Sequence, residues 1–149
     1  IRILVFGDGA LREHVENRVE REQIENVLLF PLRSIQQTAQ IYSMADVVLV
    51  PLKKGMTRIA VPSETQLALA AGRPLIVCAE PGSEWARSIE HESYGVCIMP
   101  GEPQEMADAI LRLHASTVPL GELGARARNY ACEHASREQA TRAYFNWVK

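Results

Sequence analysis

The chain has 149 residues, 47% apolar and 23% charged, with a formal net charge of −2. Those figures describe one ordinary globular domain with enough chain to bury a core. The slightly acidic balance argues against sequence-independent nucleic-acid binding, which needs a basic footprint, and no apolar run approaches the roughly 18 residues of a membrane-spanning helix.

In chain order, short apolar runs alternate with helical segments. IRILVF (1–6), NVLLF (26–30), DVVLV (46–50), PLIVCA (74–79) and GVCIM (95–99) read as strands. They are nearly continuous in apolar residues, the pattern of parallel strands covered on both faces. The chain opens on the first of these runs rather than on a signal-peptide pattern. Segments 10–23, 34–45, 63–72 and 83–93 have the length of crossover helices. Ser34 with Gln37, Ser63 with Gln66, and Ser136 with Gln139 show the capping-box spacing, and Gly72 before Pro74 is a helix stop. Three helices follow the last strand, at 102–116, 119–135 and 136–149, with Pro103 and Pro119 near the first two starts. The alternation predicts a Rossmann-like, doubly wound α/β domain with right-handed crossovers and C-terminal helices.

The chemistry-bearing residues are few. Cys78, Cys97 and Cys132 are odd in number, widely spaced and without a C-x-x-C pair, so neither a disulfide framework nor a zinc site is expected. Cys78 and Cys97 read as buried thiols, which fits a reducing cytoplasm. The histidines at 14, 91, 114 and 134 lack metal-ligand spacing. H-E-x-x-H and G-x-S-x-G are absent, which disfavours a metalloenzyme or a triad hydrolase. Trp85 and Trp147 are expected to pack.

Ligands of open α/β sheets bind beyond the carboxyl ends of the strands. There the chain places Gly7-Asp8-Gly9, Pro31-Leu32-Arg33, the long loop 52–61, and Glu80-Pro81-Gly82-Ser83. Position 12 is Arg rather than Gly, so the full G-x-G-x-x-G pattern is absent. The GDG turn then reads either as a tight turn or as a place where a ligand approaches the backbone. At Pro62-Ser63-Glu64-Thr65 a helix start offers four free N–H groups and two hydroxyls, an anion site reinforced by the dipole. Lys53, Lys54 and Arg58 precede it. The competing reading is a start capped internally by Ser63 and Gln66.

Taken together, VFGDGALREHVE, NVLLFP, YSMADVVLVPL, VPSETQLALAAGRPLIV and YGVCIMPGEPQEMADAI resemble the C-terminal, nucleotide-sugar-binding domain of GT-B glycosyltransferases. The order is most similar to the large retaining family 4, and to its capsule, O-antigen and colanic-acid branch. The closing GARARNYACEHASREQATRAYFNWV is similar to that family's last helices. The resemblance implies a donor-binding half of an enzyme that moves a sugar from a UDP- or GDP-linked donor to an acceptor hydroxyl in surface polysaccharide or glycolipid synthesis. It implies no cofactor, no metal, no nucleic-acid partner, a cytoplasmic location, and room for peripheral membrane association of the full enzyme. No catalytic residue is assigned. Pro62, Ser63, Glu64 and Thr65 would lie at the diphosphate, Gly7 and Gly9 near the donor, and Leu32 and Arg33 at the edge of the base.

Two departures stand out. The family places a glutamate on the ribose hydroxyls five residues before the helix-ending glycine; here that position is Leu67, with Glu64 one turn earlier as a partial substitute. The family's domain also opens with one more strand and helix, and an acceptor-binding N-terminal domain precedes it. Residues 1–149 are therefore expected to be a single donor-binding domain lacking its first strand. The strand at 1–6 should neighbour 26–30, and 46–50 should neighbour 74–79 and then 95–99. Two alternatives remain: a non-catalytic module of the same fold, favoured by Leu67, and an unrelated nucleotide-binding α/β domain, favoured if the 63–66 start faces away from the strand carboxyl ends.

Overall fold

The computed structural model describes residues 1–56 and 62–148, so Arg58 lies outside the described residues. The chain forms two compact units, Ile1–Thr38 and Ala39–Lys149.

In the first unit, β1 (Ile3–Phe6), α1 (Arg12–Arg21) and β2 (Val27–Phe30) make one β-α-β turn. The strands pair in parallel from Ile3 opposite Val27 to Phe6 opposite Phe30, and the last pair stacks its rings with centroids 4.8 Å apart. A parallel pair demands this crossover, because a hairpin cannot join parallel strands. Burial on both faces, expected from the apolar runs, does not hold here: Leu4 is 41% and Val5 44% exposed. A single helix gives two short strands only one cover.

The second unit contains α2 (Thr38–Met44), β3 (Val48–Val50), α3 (Ser63–Ala70), β4 (Leu75–Cys78), α4 (Glu84–Glu92), β5 (Gly95–Ile98), α5 (Pro103–His114), α6 (Leu120–His134) and α7 (Arg137–Val148). Its sheet runs β3-β4-β5, all parallel, so the strand neighbours expected in both units are the ones observed. Central β4 is buried along its whole length. Period-2 alternation sends Leu75 and Val77 into one core with Val50, Leu69, Trp85 and Tyr94, and Ile76 and Cys78 into another with Ile98, Ala109 and Leu113. Helices on both faces make this a doubly wound sheet.

Helix α3 is the tightest element. Ala68 and Leu69 are fully buried. It ends at Gly72, φ +66°, where the Gly72 N–H reaches Leu69 O at 3.0 Å and the Arg73 N–H reaches Ala68 O at 2.9 Å, closing the orphan carbonyls as a left-handed cap does. Arg128 Nη1 donates to Ala70 O, and Arg73 Nη2 to Ser43 O at 2.7 Å. Gly124, Ala127 and Ala131 give α6 a buried stripe of small residues.

Of the three capping-box spacings, two form bonds. The Ser34 N–H donates to Gln37 Oε1 at 3.3 Å, and Ser136 Oγ accepts from the Gln139 N–H at 3.2 Å. At Ser63 the spacing misleads. Pro62, with φ −64° and ψ 128°, is the capping residue, Ser63 is already helical, and no side chain caps the start. Ser83 caps α4 through the Ala86 N–H at 3.2 Å, unmarked by any Glu or Gln three residues on.

All three cysteines are free, with Cys78 buried, Cys97 half-buried and Cys132 exposed. Trp85 packs as expected at 7% exposure, but Trp147 is 86% exposed, because α7 has no buried residue. Among the described residues no helix is long and apolar enough to cross a membrane.

Tyr94 is fully buried. Its hydroxyl is 2.8 Å from Ser88 Oγ, and its ring lies tilted on Tyr130. Burial pushes the phenol up from 10 to about 12, partly offset by the Ser88 hydrogen bond. The fold thus favours the neutral phenol. That contribution is complete below about pH 10 and is lost as pH rises toward 12. Burial raises Tyr42, Cys78 and Cys97 in the same sense. Urea melts of wild type and Tyr94→Phe across pH 8–11 should show the gap between them narrowing above about pH 10, from an initial cost of about 1 kcal/mol for the lost hydrogen bond.

Candidate functional site

Parallel β3 and β4 fix the direction of the helix between them. α3 delivers the chain to the amino end of β4, so its own start lies at the carboxyl end of the sheet. This places the 63–66 start where ligands of open sheets bind and removes the motive for the unrelated-domain alternative.

The start is chemically unfinished. No side chain caps it, and within its first turn the Thr65 N–H reaches back to Pro62 O at 3.1 Å. Ser63 is exposed, and its hydroxyl donates to Glu64 Oε2 at 3.4 Å. Thr65 is fully buried, yet its Oγ1 has no hydrogen-bond partner, and neither does the buried Gln66 Oε1. An unpaired buried polar group costs about 1–3 kcal/mol, and such groups in folded proteins call for an explanation. The first-turn N–H groups carry the positive end of the helix dipole. An anion there would complement the dipole.

Lys53 and Lys54 are exposed on the loop that leaves β3. The same loop is tied to the end of β4 by the Gly55 N–H, which donates to Glu80 Oε1. Burial first, and the Glu64 charge second, raise the Tyr42 phenol, so Glu64 acts on Tyr42. Leu67 is 43% exposed while its neighbours Ala68 and Leu69 are fully buried.

The first unit presents its own carboxyl-end loops. Gly7 adopts φ +151°, a region that L side chains rarely enter. A Cβ added at Gly7 or Gly9 would meet nothing within 4 Å, so the GDG turn has open space beside it. The Gly9 N–H donates to Asp8 Oδ1 at 2.8 Å. Leu32 is 76% exposed and Arg33 is exposed, both in the loop leaving β2. The sequence patterns missed the Thr65 and Gln66 orphans and the side-chain bonds of Arg12; an arginine at a place where close packing favours glycine was the available signal for the latter. Among the described residues no group of three or more His, Cys, Asp or Glu is placed to hold a metal ion.

The family described as Glycosyl transferases group 1 matches residues 1–116. The chain belongs to this family. WbjE of Pseudomonas aeruginosa, a glycosyltransferase by name, is 29% identical over 137 residues, which is 90% of this chain and 34% of that protein. WcaI of Escherichia coli K12, by name a colanic acid biosynthesis glycosyl transferase, is 25% identical over 146 residues, 97% of this chain and 35% of that protein. The chain thus spans about a third of the length of these curated relatives. Among solved structures, a variant of S. aureus TarM in complex with fondaparinux, alpha-GlcNAc-glycerol and UDP superposes with TM-score 0.80 at 21% identity, covering 98% of this chain and 28% of that one. Anabaena HepE in complex with UDP gives TM-score 0.77 at 17% identity, covering 100% of this chain and 41% of that one. These likenesses are of fold, and the group 1 domain here has the GT-B type of α/β architecture.

Proposed function

We propose that this group 1 domain is the donor-binding half of a glycosyltransferase, and that the α3 start holds the diphosphate of a nucleoside-diphosphate sugar. The observation that carries the reading is the uncapped start with the buried, unpartnered Thr65 hydroxyl. Pro62 sets the turn, Ser63 and Thr65 supply hydroxyls, and the backbone of residues 63–66 supplies N–H donors, with Glu64 at the rim. As the sugar leaves, charge builds on the diphosphate, and fixed donors aimed at it stabilise that charge; exposed Lys53 and Lys54 add cationic screening. Gly7 and Gly9, and Leu32 with Arg33, are assigned to the nucleoside part. Leu67 takes the place of the ribose-binding carboxylate.

The reading extends to a UDP- or GDP-linked donor, an acceptor hydroxyl in surface polysaccharide or glycolipid synthesis, a retaining reaction in the cytoplasm, and an enzyme resting on the membrane surface. The groups that bind the acceptor are assigned to protein outside residues 1–149. The complexes of TarM and HepE with UDP support a uridine donor by likeness of fold alone. Leu67, an exposed aliphatic side chain at the ribose position, favours a second reading: a nucleotide-binding module of the same fold without catalysis.

Calorimetric titration with UDP, GDP, uridine and guanosine tests the proposal. One diphosphate should bind at about millimolar affinity, near 4 kcal/mol, and clearly more tightly than its nucleoside. Equal affinity for diphosphate and nucleoside in the folded protein would leave α3 as a structural helix only.

A further inference from the structure

Arg12 occupies the place where a dinucleotide-binding turn has its third glycine, the one that allows close helix–strand packing. Its guanidinium is spent on the protein. Nη1 donates to Gly7 O and to Phe30 O, the latter at 3.0 Å, and Nε pairs with Glu16 Oε1 at 2.7 Å one turn along α1. Gly7 O lies just past the end of β1, and Phe30 is the last residue of β2. Beyond these residues the ladder stops, and strand-end carbonyls need other donors. Phe30 O also accepts the Gly7 N–H at 3.2 Å. One backbone bond and one side chain therefore bind the GDG turn to the end of β2, while Gly7 sits in a backbone conformation that needs holding. A planar fork with several donors suits this task better than a point-like ammonium.

We propose that Arg12 is a positioning residue for the nucleoside part of the donor: it sets the Gly7–Gly9 turn against the loop bearing Leu32 and Arg33, and does not itself contact phosphate. The inference rests on the donor-binding reading above. Its three acceptors use the guanidinium locally, so loss of Arg12 should affect nucleoside binding and leave anion binding at α3 intact.

The test is a set of NMR titrations of the 149-residue chain with uridine, UDP and inorganic pyrophosphate, for wild type, Arg12→Ala and Arg12→Lys. Arg12→Ala should weaken uridine and UDP alike, about tenfold, and leave pyrophosphate affinity unchanged. Arg12→Lys, which keeps the charge without the fork, should fall between, and it carries the comparison alone if the alanine variant does not fold. Unchanged uridine and UDP binding in the variants would overturn the inference while leaving donor binding standing. An equal loss for pyrophosphate would also overturn it, because Arg12 would then be a phosphate ligand or a general support of the fold. Wild type that binds neither uridine nor UDP would instead remove the donor reading on which the inference depends.

Discussion

Gly124→Ala should lower the stability of the second unit by about 3 kcal/mol or more, at the upper end of overpacking costs. A Cβ at Gly124 would strike the Gly72 carbonyl oxygen well inside van der Waals contact and crowd the Gly72 carbonyl carbon. The obstacle is backbone, and it cannot rotate away as a side chain could. Gly72 is itself held by the left-handed cap of α3, and its N–H is engaged with Leu69 O. Relief would require α6 to move off α3, opening the seam that Ala127 shares with Ala68 and Leu69. Thermal melts of the 149-residue chain should show a drop of more than about 10 °C. Gly121→Ala in the same helix, where a Cβ meets nothing within 4 Å, should be neutral or slightly stabilising through helix propensity. Equal melting temperatures for the two variants would contradict the packing described here.

Leu67→Glu should strengthen binding of ribose nucleotides by about tenfold, the scale of one charge-assisted hydrogen bond of about 1.5–3 kcal/mol after partial desolvation. The exposure of Leu67 removes the main hazard of the substitution, a buried unpaired carboxylate. Glutamate is a good helix former, and the like charge of Glu64 one turn away opposes it by only about 0.2–0.5 kcal/mol. The gain should appear for UDP or GDP and vanish for 2′,3′-dideoxy analogues, which lack the hydroxyls a carboxylate would accept. A gain of equal size for the dideoxy compounds would mean that residue 67 does not face ribose. A folded Leu67→Glu protein with unchanged affinity for every nucleotide would favour a different placement of the nucleoside.

The strands of the second sheet were legible because β3, β4 and β5 are short apolar runs cut by Gly, Pro and polar residues, and a strand buried on both faces needs nothing else. The first pair was legible as strands but not in its exposure, since burial depends on what covers a face rather than on its own residues. Most helix starts were readable to within one residue, whereas α1 begins at Arg12, two residues into its expected segment. At Ser63 a single residue mattered: proline took the capping position, and the serine no longer caps the helix. The orphaned Thr65 hydroxyl could not be read from sequence, because threonine at a third helical position is ordinary wherever it can turn to solvent. Contacts between distant parts of the chain stayed hidden for the same reason. The approach of Gly72 to Gly124 and the bonds of Arg12 to two strand-end carbonyls join residues that no local pattern relates.

If the proposed function is right, the α3 start receives the diphosphate of a sugar donor. Amide NMR of the 149-residue chain during titration with UDP and then uridine tests it most directly. UDP should move the Ser63, Glu64, Thr65 and Gln66 amide resonances in a saturable way, uridine at the same concentration should leave them in place, and Thr65→Val should weaken the UDP response by about fivefold or more through loss of one hydrogen bond. UDP shifts that bypass these four amides, in a protein whose other resonances show it folded, would contradict it.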